Sequence, residues 1–472
     1  MKNNFEIGIV GLGAMGRNLL LNLRDHGHRG IGLDKDNAKV SLVKSEEQKS
    51  TEMDATEEVT VFLNQLQQPR VILLLIPAGA PVDSVLSELV PLLSPGDLVI
   101  DAGNSHFTET NLREKFLAEK GIEFFGMGVS GGEAGARNGP SIMPGGKKES
   151  YERVRPMLEA IAAQVNGEPC VGYLGPGSCG HYVKMVHNGI EYGLMQLIAE
   201  IYALMKLVLR SSNDECHSVF SAWNGSELSS YLLEITAQLF QKRDDTKSDG
   251  WLLDSVLDVA KQNGTGIWTS QDALKNQIPV PSIDAAVTAR DLSVFKAERT
   301  QASTLLESPA VIDVADREAF VNQLRNAYHA SSILIFAQSL VLLQKASVTY
   351  GYSLNLEQIA RVWRGGCIIR TALLEPIANA YRQAPTLSNL LLDAYFARAM
   401  NQRQSDLRTV IQRAAEGGIP VPVMMAGLAY YDGYRSAWSP ANLIQAQRDY
   451  FGAHRYERTD VSGTFHSDWG NS

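Results

Sequence analysis

One face of a predicted helix carries four polar residues whose types could do acid–base chemistry: Lys184, His187, Asn188 and Glu191. Seven positions separate the lysine from the glutamate, which places them about 20° apart around an α-helix. The other faces are apolar, so the segment is predicted to be buried rather than to be a solvated charged face. A buried lysine with a carboxylate two turns away is a candidate base and acid pair. A structural ion pair is the alternative that these residues leave open.

The elements that must position this face follow from the change in periodicity along the chain. Short apolar runs alternate with helical stretches up to about Gly175, and the predicted strands are Glu6–Val10, Gly30–Leu33, Val71–Ile76, Leu98–Asp101 and Glu123–Val129. Such alternation predicts an α/β, Rossmann-like, doubly wound domain with a parallel sheet. A Gly-Pro-Gly-Ser turn then precedes a long helical stretch. We therefore predict an N-terminal domain over residues 1–177, a large all-α domain over 178–439 and an irregular C-terminal tail over 440–472.

Composition narrows the class of protein. The chain has 472 residues, of which 44% are hydrophobic, and its net charge is −9. The negative charge argues against nucleic acid or an anionic membrane as a partner. The run Val71–Ile76 is too short to cross a bilayer, and a strand-like segment begins by Phe5, which leaves no room for a secretory signal. Four scattered cysteines lack metal-ligand spacing and suit reduced thiols in a cytoplasm. An anionic substrate would need a locally basic site.

A glycine pattern at the first strand-to-helix junction predicts a dinucleotide site, formed by Gly11, Leu12, Gly13, Ala14, Met15 and Gly16. Glycine at three of these places permits a tight turn, close approach of a pyrophosphate and close packing of the helix on the strand. The pattern alone is weak evidence. Here it lies between a strand and a helix, and Asp34 ends the next strand about 20 residues on, as the fingerprint requires.

Asp34 also bears on which dinucleotide is used. A carboxylate there accepts hydrogen bonds from an adenine-ribose diol and repels a 2′-phosphate, which favours NAD over NADP. Lys35 would attract a 2′-phosphate and therefore favours NADP, whereas Asp36 adds a negative charge that offsets Lys35. The alternative is that Asp34 is only a turn residue before the next helix. We further expect the cofactor to contact Ile76, Pro77, Ala78 and Asn104.

Two later loops follow predicted strands and therefore lie at the carboxyl edge of the sheet, where ligands bind. They contain Asn104 and the stretch Ser130-Gly131-Gly132. Such loops could be simple turns, yet free backbone amides, the Asn104 amide and the Ser130 hydroxyl would suit a polyhydroxy acid.

Longer strings of sequence now point to a family. The chain resembles the decarboxylating 6-phosphogluconate dehydrogenases of the oxidative pentose phosphate pathway, within the β-hydroxyacid dehydrogenase superfamily. The strings that carry the resemblance are Val183–Gly193, Gly264-Thr265-Gly266 with Trp268-Thr269, Trp363–Arg370 and Asn442–His454. The resemblance implies that the chain converts 6-phosphogluconate to ribulose 5-phosphate and carbon dioxide, reduces NAD or NADP, and requires no metal.

Roles for individual residues follow from the same resemblance. Lys184 would remove the proton from the hydroxyl on the third carbon, and Glu191 would protonate the first carbon after carbon dioxide departs. The sugar-acid portion of the substrate would contact Asn104, Ser130, Gly131, Gly132, His187 and Asn188. Its phosphate would contact Tyr192, Thr265, Arg290 and Arg448, and His454 also matches a substrate residue. Without the resemblance, Arg290 could equally form a surface ion pair with Asp284 or Asp291, and His454 would be an exposed tail residue.

The chain departs from the family at three places; one of them, Ala134 and Leu194 in place of usual acidic residues, has no catalytic role that we can assign. The family usually carries lysine before the first glycine of Gly-Thr-Gly and again after the second; here these positions hold Asn263 and Ile267, so the phosphate could be held differently. Asp34-Lys35-Asp36 stands where NADP-using relatives tend to have Asn-Arg-Thr, which agrees with NAD. These departures leave open a related sugar acid as the substrate, or a non-catalytic nucleotide-binding paralogue.

The sequence also predicts that the chain assembles with a second copy. The helical part has more amphipathic surface than one small sheet domain can cover, so some surface is expected to be buried between subunits. The family forms homodimers in which the tail reaches into the neighbouring subunit. By implication the tail supplies Arg448 and His454 to a shared active site.

Overall fold

The N-terminal part of the molecule alternates strands and helices. In the computed structural model, the described residues are 5–47, 52–246, 249–262, 264–310 and 312–470. The elements up to residue 169 are β1 Ile7–Val10, α1 Ala14–Asp25, β2 Gly30–Leu33, α2 Asn37–Glu47, β3 Met53–Thr56, α3 Val59–Gln65, β4 Val71–Leu74, α4 Ala80–Leu89, β5 Leu98–Asp101, α5 Phe107–Ala118, β6 Glu123–Ser130, α6 Gly132–Asn138, β7 Ser141–Pro144, α7 Lys148–Ile161, β8 Gln164–Val165 and β9 Glu168–Pro169.

The described residues form a seven-stranded sheet in the order β3-β2-β1-β4-β5-β6-β7. The pairs from β3 to β6 are parallel, and β7 runs antiparallel to β6. Apolar residues of α1, α2 and α7 cover one face, and those of α3, α4 and α5 cover the other. The α/β doubly wound prediction is confirmed. The strand order reverses between β1 and β4, and open sheets bind ligands at the carboxyl ends of the strands at such a point.

Two strands of this sheet were not predicted. The edge strand β3 reads Met-Asp-Ala-Thr and alternates buried with half-buried residues, so it lacks a continuous apolar run. The strand β7 reads Ser-Ile-Met-Pro and is fully buried, and two later helices, over Cys179–Leu207 and Leu356–Val362, pack on it. Its burial depends on helices that come later in the chain, so the residues of the strand and their neighbours in sequence do not indicate it.

The helical part that follows is confirmed as all-α up to the tail. Its helices are α8 Cys179–Leu207, α9 Asn213–Asn224, α10 Tyr231–Leu239, α11 Thr265–Lys275, α12 Pro281–Val294, α13 Lys296–Leu305, α14 Arg317–Tyr350, α15 Leu356–Val362, α16 Leu374–Gln383, α17 Ala394–Glu416 and α18 Pro422–Tyr434. The helix α8 packs against α11, α12 and α14 around one large apolar cluster. Within the described residues, α14 alone is long and apolar enough to cross a bilayer, but 67% of its most apolar stretch is buried among these helices.

The C-terminal tail is more regular than predicted. It forms the helix α19 Ala441–Gly452 and a hairpin of β10 Tyr456–Glu457 with β11 Thr464–Phe465. The buried carboxylate of Asp449 accepts hydrogen bonds from Arg455 N at 2.8 Å, Ser467 N at 3.1 Å, Trp469 Nε1 at 2.8 Å and His466 Nδ1 at 2.9 Å. Burial opposes ionisation of Asp449, but these hydrogen bonds outweigh it and lower its pKa. One carboxylate thus orders a segment that has little apolar periodicity.

Candidate active site

The amino-terminal half of α8 lies directly on the strand β6, and glycine makes this contact possible. A Cβ added at Gly128 would lie 2.5 Å from the Cβ of Lys184 and 3.1 Å from the carbonyl oxygen of Gly180. Any larger residue at position 128 would therefore push the helix away from the sheet. This close packing fixes the polar face of α8 at the carboxyl end of the strands.

On that face, His187 lies between the lysine and the glutamate. The Nζ of Lys184 is 3.4 Å from His187 Nδ1, which is 3.9 Å from Glu191 Oε2. The other ring nitrogen of His187 is 3.2 Å from the Oγ of Ser130, and Asn188 Oδ1 is 3.1 Å from Nδ1. The predicted face is therefore one connected polar cluster, and Lys184, His187 and Asn188 are all buried.

Burial shifts the pKa values of Lys184 and Glu191 in opposite directions. Desolvation lowers the pKa of Lys184, although the nearby Glu191 carboxylate opposes that shift. Desolvation raises the pKa of Glu191, opposed by Lys184 and Arg290. Burial and the Lys184 charge together hold the pKa of His187 well below its ordinary value. A lysine that loses its proton more easily and a glutamic acid that keeps its proton longer are what a base and an acid need near neutral pH.

The cluster opens into a cleft of about 730 Å³ between the sheet and the helical part. Lys184, Asn188, Glu191 and Asn104 are among the residues that line it. Groups suited to an anion also line it, namely Tyr192, Thr265, Arg290 and Lys261, and we call these four residues the anion-binding lining.

Arg290 does not form the surface ion pair considered as its alternative role. Its guanidinium carbon lies 3.6 Å from the centre of the Tyr192 ring, and its Nη2 lies 3.4 Å from the sulfur of Met195. Asp291 instead accepts a hydrogen bond from the side chain of Gln262. Stacking on the ring holds the guanidinium at the cleft and leaves its N–H groups free of carboxylates within the described part of the chain.

The glycine-rich turn after β1 has the shape that a dinucleotide site requires. Gly11 has φ +98°, and a Cβ there would lie 2.6 Å from the carbonyl oxygen of Leu75. A Cβ at Gly16 would lie 1.9 Å from the carbonyl oxygen of Gly11, whereas one at Gly13 would point into open space. The first and last positions therefore admit only glycine, and the middle one leaves the backbone open to a ligand. A nicotinamide dinucleotide fits this turn.

A second cleft, of about 520 Å³, extends from this turn over the end of β2. Gly11, Gly13, Asp34 and Lys35 line it, and Ile76 and Pro77 line both clefts. Met15 and Ala78 face the first cleft. The two clefts therefore meet at the end of β4, where a nicotinamide ring would have to face the substrate.

The carboxylate of Asp34 is part of the turn rather than a free surface group. Its Oδ2 accepts a hydrogen bond from Leu12 N at 2.8 Å, and its Oδ1 accepts one from Asp36 N at 2.9 Å. The Lys39 ammonium lies 3.4 Å from Oδ2. The Lys35 ammonium lies 2.6 Å from Glu88 Oε1, and both residues line the second cleft. Asp34 is thus more than the simple helix-preceding turn residue that the sequence allowed.

Some predicted residues lie away from the cleft lining. Ser130 is buried behind it, and Gly131 and Gly132 begin the short helix α6. Arg448 and His454 are exposed on the tail and do not line the cleft of their own chain. Asn263 lies outside the described residues.

The residues of this first cleft that were not predicted from the sequence include Glu109, Lys261, Gln262 and Trp268. Trp268 follows Gly-Thr-Gly in a string that carried the resemblance, which was a usable signal. Nothing in the sequence around Glu109, Lys261 and Gln262 indicated a site, because these residue types are common on any protein surface.

Comparison with known families assigns both parts of the chain. The family description "NAD binding domain of 6-phosphogluconate dehydrogenase" matches residues 6–175, and "6-phosphogluconate dehydrogenase, C-terminal domain" matches residues 180–469. The chain belongs to the 6-phosphogluconate dehydrogenase family.

Individual members of the 6-phosphogluconate dehydrogenase family are similar over nearly the whole chain. The decarboxylating enzyme of Synechococcus elongatus is 50% identical over 98% of this chain and 99% of its own length. The Bacillus subtilis enzyme, described as NADP(+)-dependent and decarboxylating, is 49% identical over 98% of this chain and 99% of its own length. A Plasmodium falciparum 6-phosphogluconate dehydrogenase, solved in its apo form and with NADP+ or 6-phosphogluconate, is 43% identical, with a TM-score of 0.94 over 98% of this chain and 100% of that one.

Proposed function

We propose that this protein oxidises and decarboxylates 6-phospho-D-gluconate to D-ribulose 5-phosphate and carbon dioxide, with a nicotinamide dinucleotide as the oxidant. The observation that carries the proposal is the cluster of Lys184, His187 and Glu191, which lies beside a cleft that joins the dinucleotide turn. Family membership supports the same reaction.

In the first step Lys184 acts as the base. Its lowered pKa favours the neutral amine, which accepts the proton of the hydroxyl on the third carbon. The bound nicotinamide supplies a hydride acceptor for the hydrogen on that carbon. His187, with its pKa held low, stays neutral and positions the lysine without adding a positive charge. The product of this step is a β-keto acid.

In the second step the same lysine stabilises negative charge. The bond to the carboxylate breaks, carbon dioxide leaves, and the electron pair delocalises towards the new carbonyl oxygen. The ammonium of Lys184, now protonated, stabilises the resulting enolate. Glu191, whose raised pKa favours the acid form, donates a proton to the carbon that lost the carboxylate. Its side chain is 23% exposed, so solvent can restore the proton.

For the cofactor we propose a preference for NAD. Asp34 places a carboxylate, held by the Leu12 and Asp36 amides, in the wall of the second cleft, where the ribose of the adenosine would lie. That charge accepts hydrogen bonds from a ribose diol and repels a 2′-phosphate. The Lys35 ammonium forms an ion pair with Glu88, so it is less available to bind a 2′-phosphate.

For the assembly we propose a homodimer whose tails exchange. The tail exposes several large apolar side chains on one short helix, namely Leu443, Ile444, Tyr450 and Phe451. A helix with so much exposed apolar surface is typical of an interface. Arg448 and His454 lie on this helix or directly after it, so a partner's tail could bring both to the cleft.

For the location we propose the cytoplasm. The four cysteines are free and buried, which supports a reducing environment.

A matrix of substrates and cofactors tests the proposed function. Purified protein is assayed with 6-phosphogluconate or gluconate, each with NAD or NADP, and reduced cofactor and carbon dioxide are measured. We expect both products with 6-phosphogluconate, in equal amounts and faster with NAD. Equal rates with gluconate would support the related sugar acid instead, and cofactor binding without turnover of either acid would support a non-catalytic protein.

A further inference from the structure

Within one chain, the anion-binding lining of the first cleft supplies little positive charge for the proposed substrate. A phosphate monoester carries a charge of about −1.5 to −2 at pH 7, and Arg290 is one cation. Ile267, at one of the two positions where the family usually has lysine, is half-buried and packs against the helical core. That position therefore supplies no charge to the ligand.

Lys261 belongs to this anion-binding lining together with Thr265 and Arg290. Its side chain is exposed and forms no ion pair within the described residues. The two other basic groups of the same cleft have neighbours that define their roles. Lys184 is buried against His187, and Arg290 is stacked on an aromatic ring. Lys261 is thus the cation of this cleft that is still free to meet an anion.

Backbone contacts hold the segment of Lys261 next to the helix that carries Arg290. The backbone N–H of Ala260 donates a hydrogen bond to Ser293 Oγ at 2.9 Å. The same hydroxyl donates to the carbonyl oxygen of Arg290 at 2.7 Å. One side chain therefore links the residue before Lys261 to the residue that carries the guanidinium.

Side-chain contacts on either side of Lys261 reinforce this link. Gln262 donates a hydrogen bond to the carboxylate of Asp291. Asp258 forms ion pairs with Lys296 at 2.7 Å and Arg299 at 3.1 Å, just after the same helix. The segment is thus attached to the carboxyl end of α12 and to α13 on both sides of the lysine. The segment that carries Lys261 is therefore held next to the helix that carries Arg290, and both residues line the same cleft.

We infer that Lys261 binds the substrate phosphate together with Arg290 and replaces the lysine that the family usually carries two residues later. This inference rests on the proposed function, because it names a residue that would bind the phosphate of that substrate. A lysine ammonium is a compact point charge that suits phosphate oxygens, while the arginine fork fixes their orientation.

The test compares Lys261→Ala with Lys345→Ala, which removes an exposed lysine of α14 that does not line the cleft. We expect Lys261→Ala to raise the KM for 6-phosphogluconate about 10- to 100-fold, the usual range for loss of a charged hydrogen bond. The kcat should stay within about threefold, since the phosphate is remote from the reacting carbons. Competitive inhibition by inorganic phosphate should weaken by a similar factor. Lys345→Ala should match the wild type.

Two further variants separate charge from local structure. Lys261→Arg keeps the charge and should stay within about threefold of the wild-type KM. Adding Asn263→Lys to Lys261→Ala returns a cation nearby and should recover most of the lost affinity. An unchanged KM in Lys261→Ala, or no recovery in the double variant, would overturn the inference while wild-type turnover of 6-phosphogluconate kept the proposed function intact. A wild-type protein without such turnover would remove both.

Discussion

Replacing Asp34 with asparagine should change the cofactor preference. The Oδ2 of Asp34 accepts the Leu12 N–H at 2.8 Å, and the side chain is 13% exposed. Asparagine retains one oxygen for that N–H, so the glycine-rich turn keeps its hydrogen bond while the wall loses a full negative charge. The hydrogen bond from Asp36 N to Oδ1 is lost, so the variant changes mainly the charge of the wall and leaves the glycine-rich turn in place.

The size of the effect follows from Coulomb's law. A carboxylate about 5 Å from one unit of phosphate charge costs about 3 kcal/mol at an effective dielectric constant of about 20. The Lys39 ammonium, 3.4 Å from the Asp34 carboxylate, and dissolved salt both reduce this repulsion. We therefore expect about 1.5 to 3 kcal/mol, which is a gain of about 10- to 100-fold in kcat/KM for NADP.

The assay measures kcat/KM for NAD and for NADP at saturating 6-phosphogluconate. Asp36→Asn serves as the control, because it removes the same charge from a side chain that is 50% exposed, where solvent screening should limit the change to about threefold. A wild type that prefers NADP, or an Asp34→Asn variant that changes the ratio of kcat/KM for the two cofactors no more than Asp36→Asn does, would contradict the role given to the Asp34 charge.

Three further results are expected. The kcat/KM profile should fall at low pH, as Lys184 becomes protonated and cannot accept a proton, and at high pH, as Glu191 loses the proton it must donate; a profile that is flat from about pH 5 to 9 would contradict these roles. Deleting Pro440–Ser472 should abolish activity while cofactor binding, followed by fluorescence, persists; a fully active truncated protein would exclude the shared site. Burial raises the pKa of Glu200 to about 7, so the folded state binds a proton that the unfolded state releases above about pH 4.5, and stability should decrease from pH 5 to 8. Glu200→Gln should remove that decrease in thermal unfolding, and an equal slope in both proteins would show that another group causes it.

The parts of the molecule that the sequence predicted well are those that depend on local spacing. The helical repeat brought Lys184 and Glu191 to one face of α8, and the glycine pattern after β1 required a tight turn. Both follow from the geometry of a few consecutive residues. Neither depends on which distant segment packs against them.

Other features depend on contacts between distant segments. The strand β7 is buried by helices that come later in the chain, and the tail is ordered by the buried carboxylate of Asp449 rather than by periodic apolar residues. Lys261 gains its place in the cleft from Ser293 and Asp291, which lie about 30 residues further on. Sequence spacing contains no signal for such attachments.

The most direct test of the central claim is the first turnover of Glu191→Gln, followed by the absorbance of reduced cofactor at enzyme concentrations comparable to the substrate. If Lys184 is the base for oxidation and Glu191 is the acid that acts after decarboxylation, this variant should form about one equivalent of reduced cofactor per site quickly and then turn over slowly. Lys184→Ala should show no such burst. A first turnover in Glu191→Gln as slow as in Lys184→Ala would contradict the division of roles between the two residues.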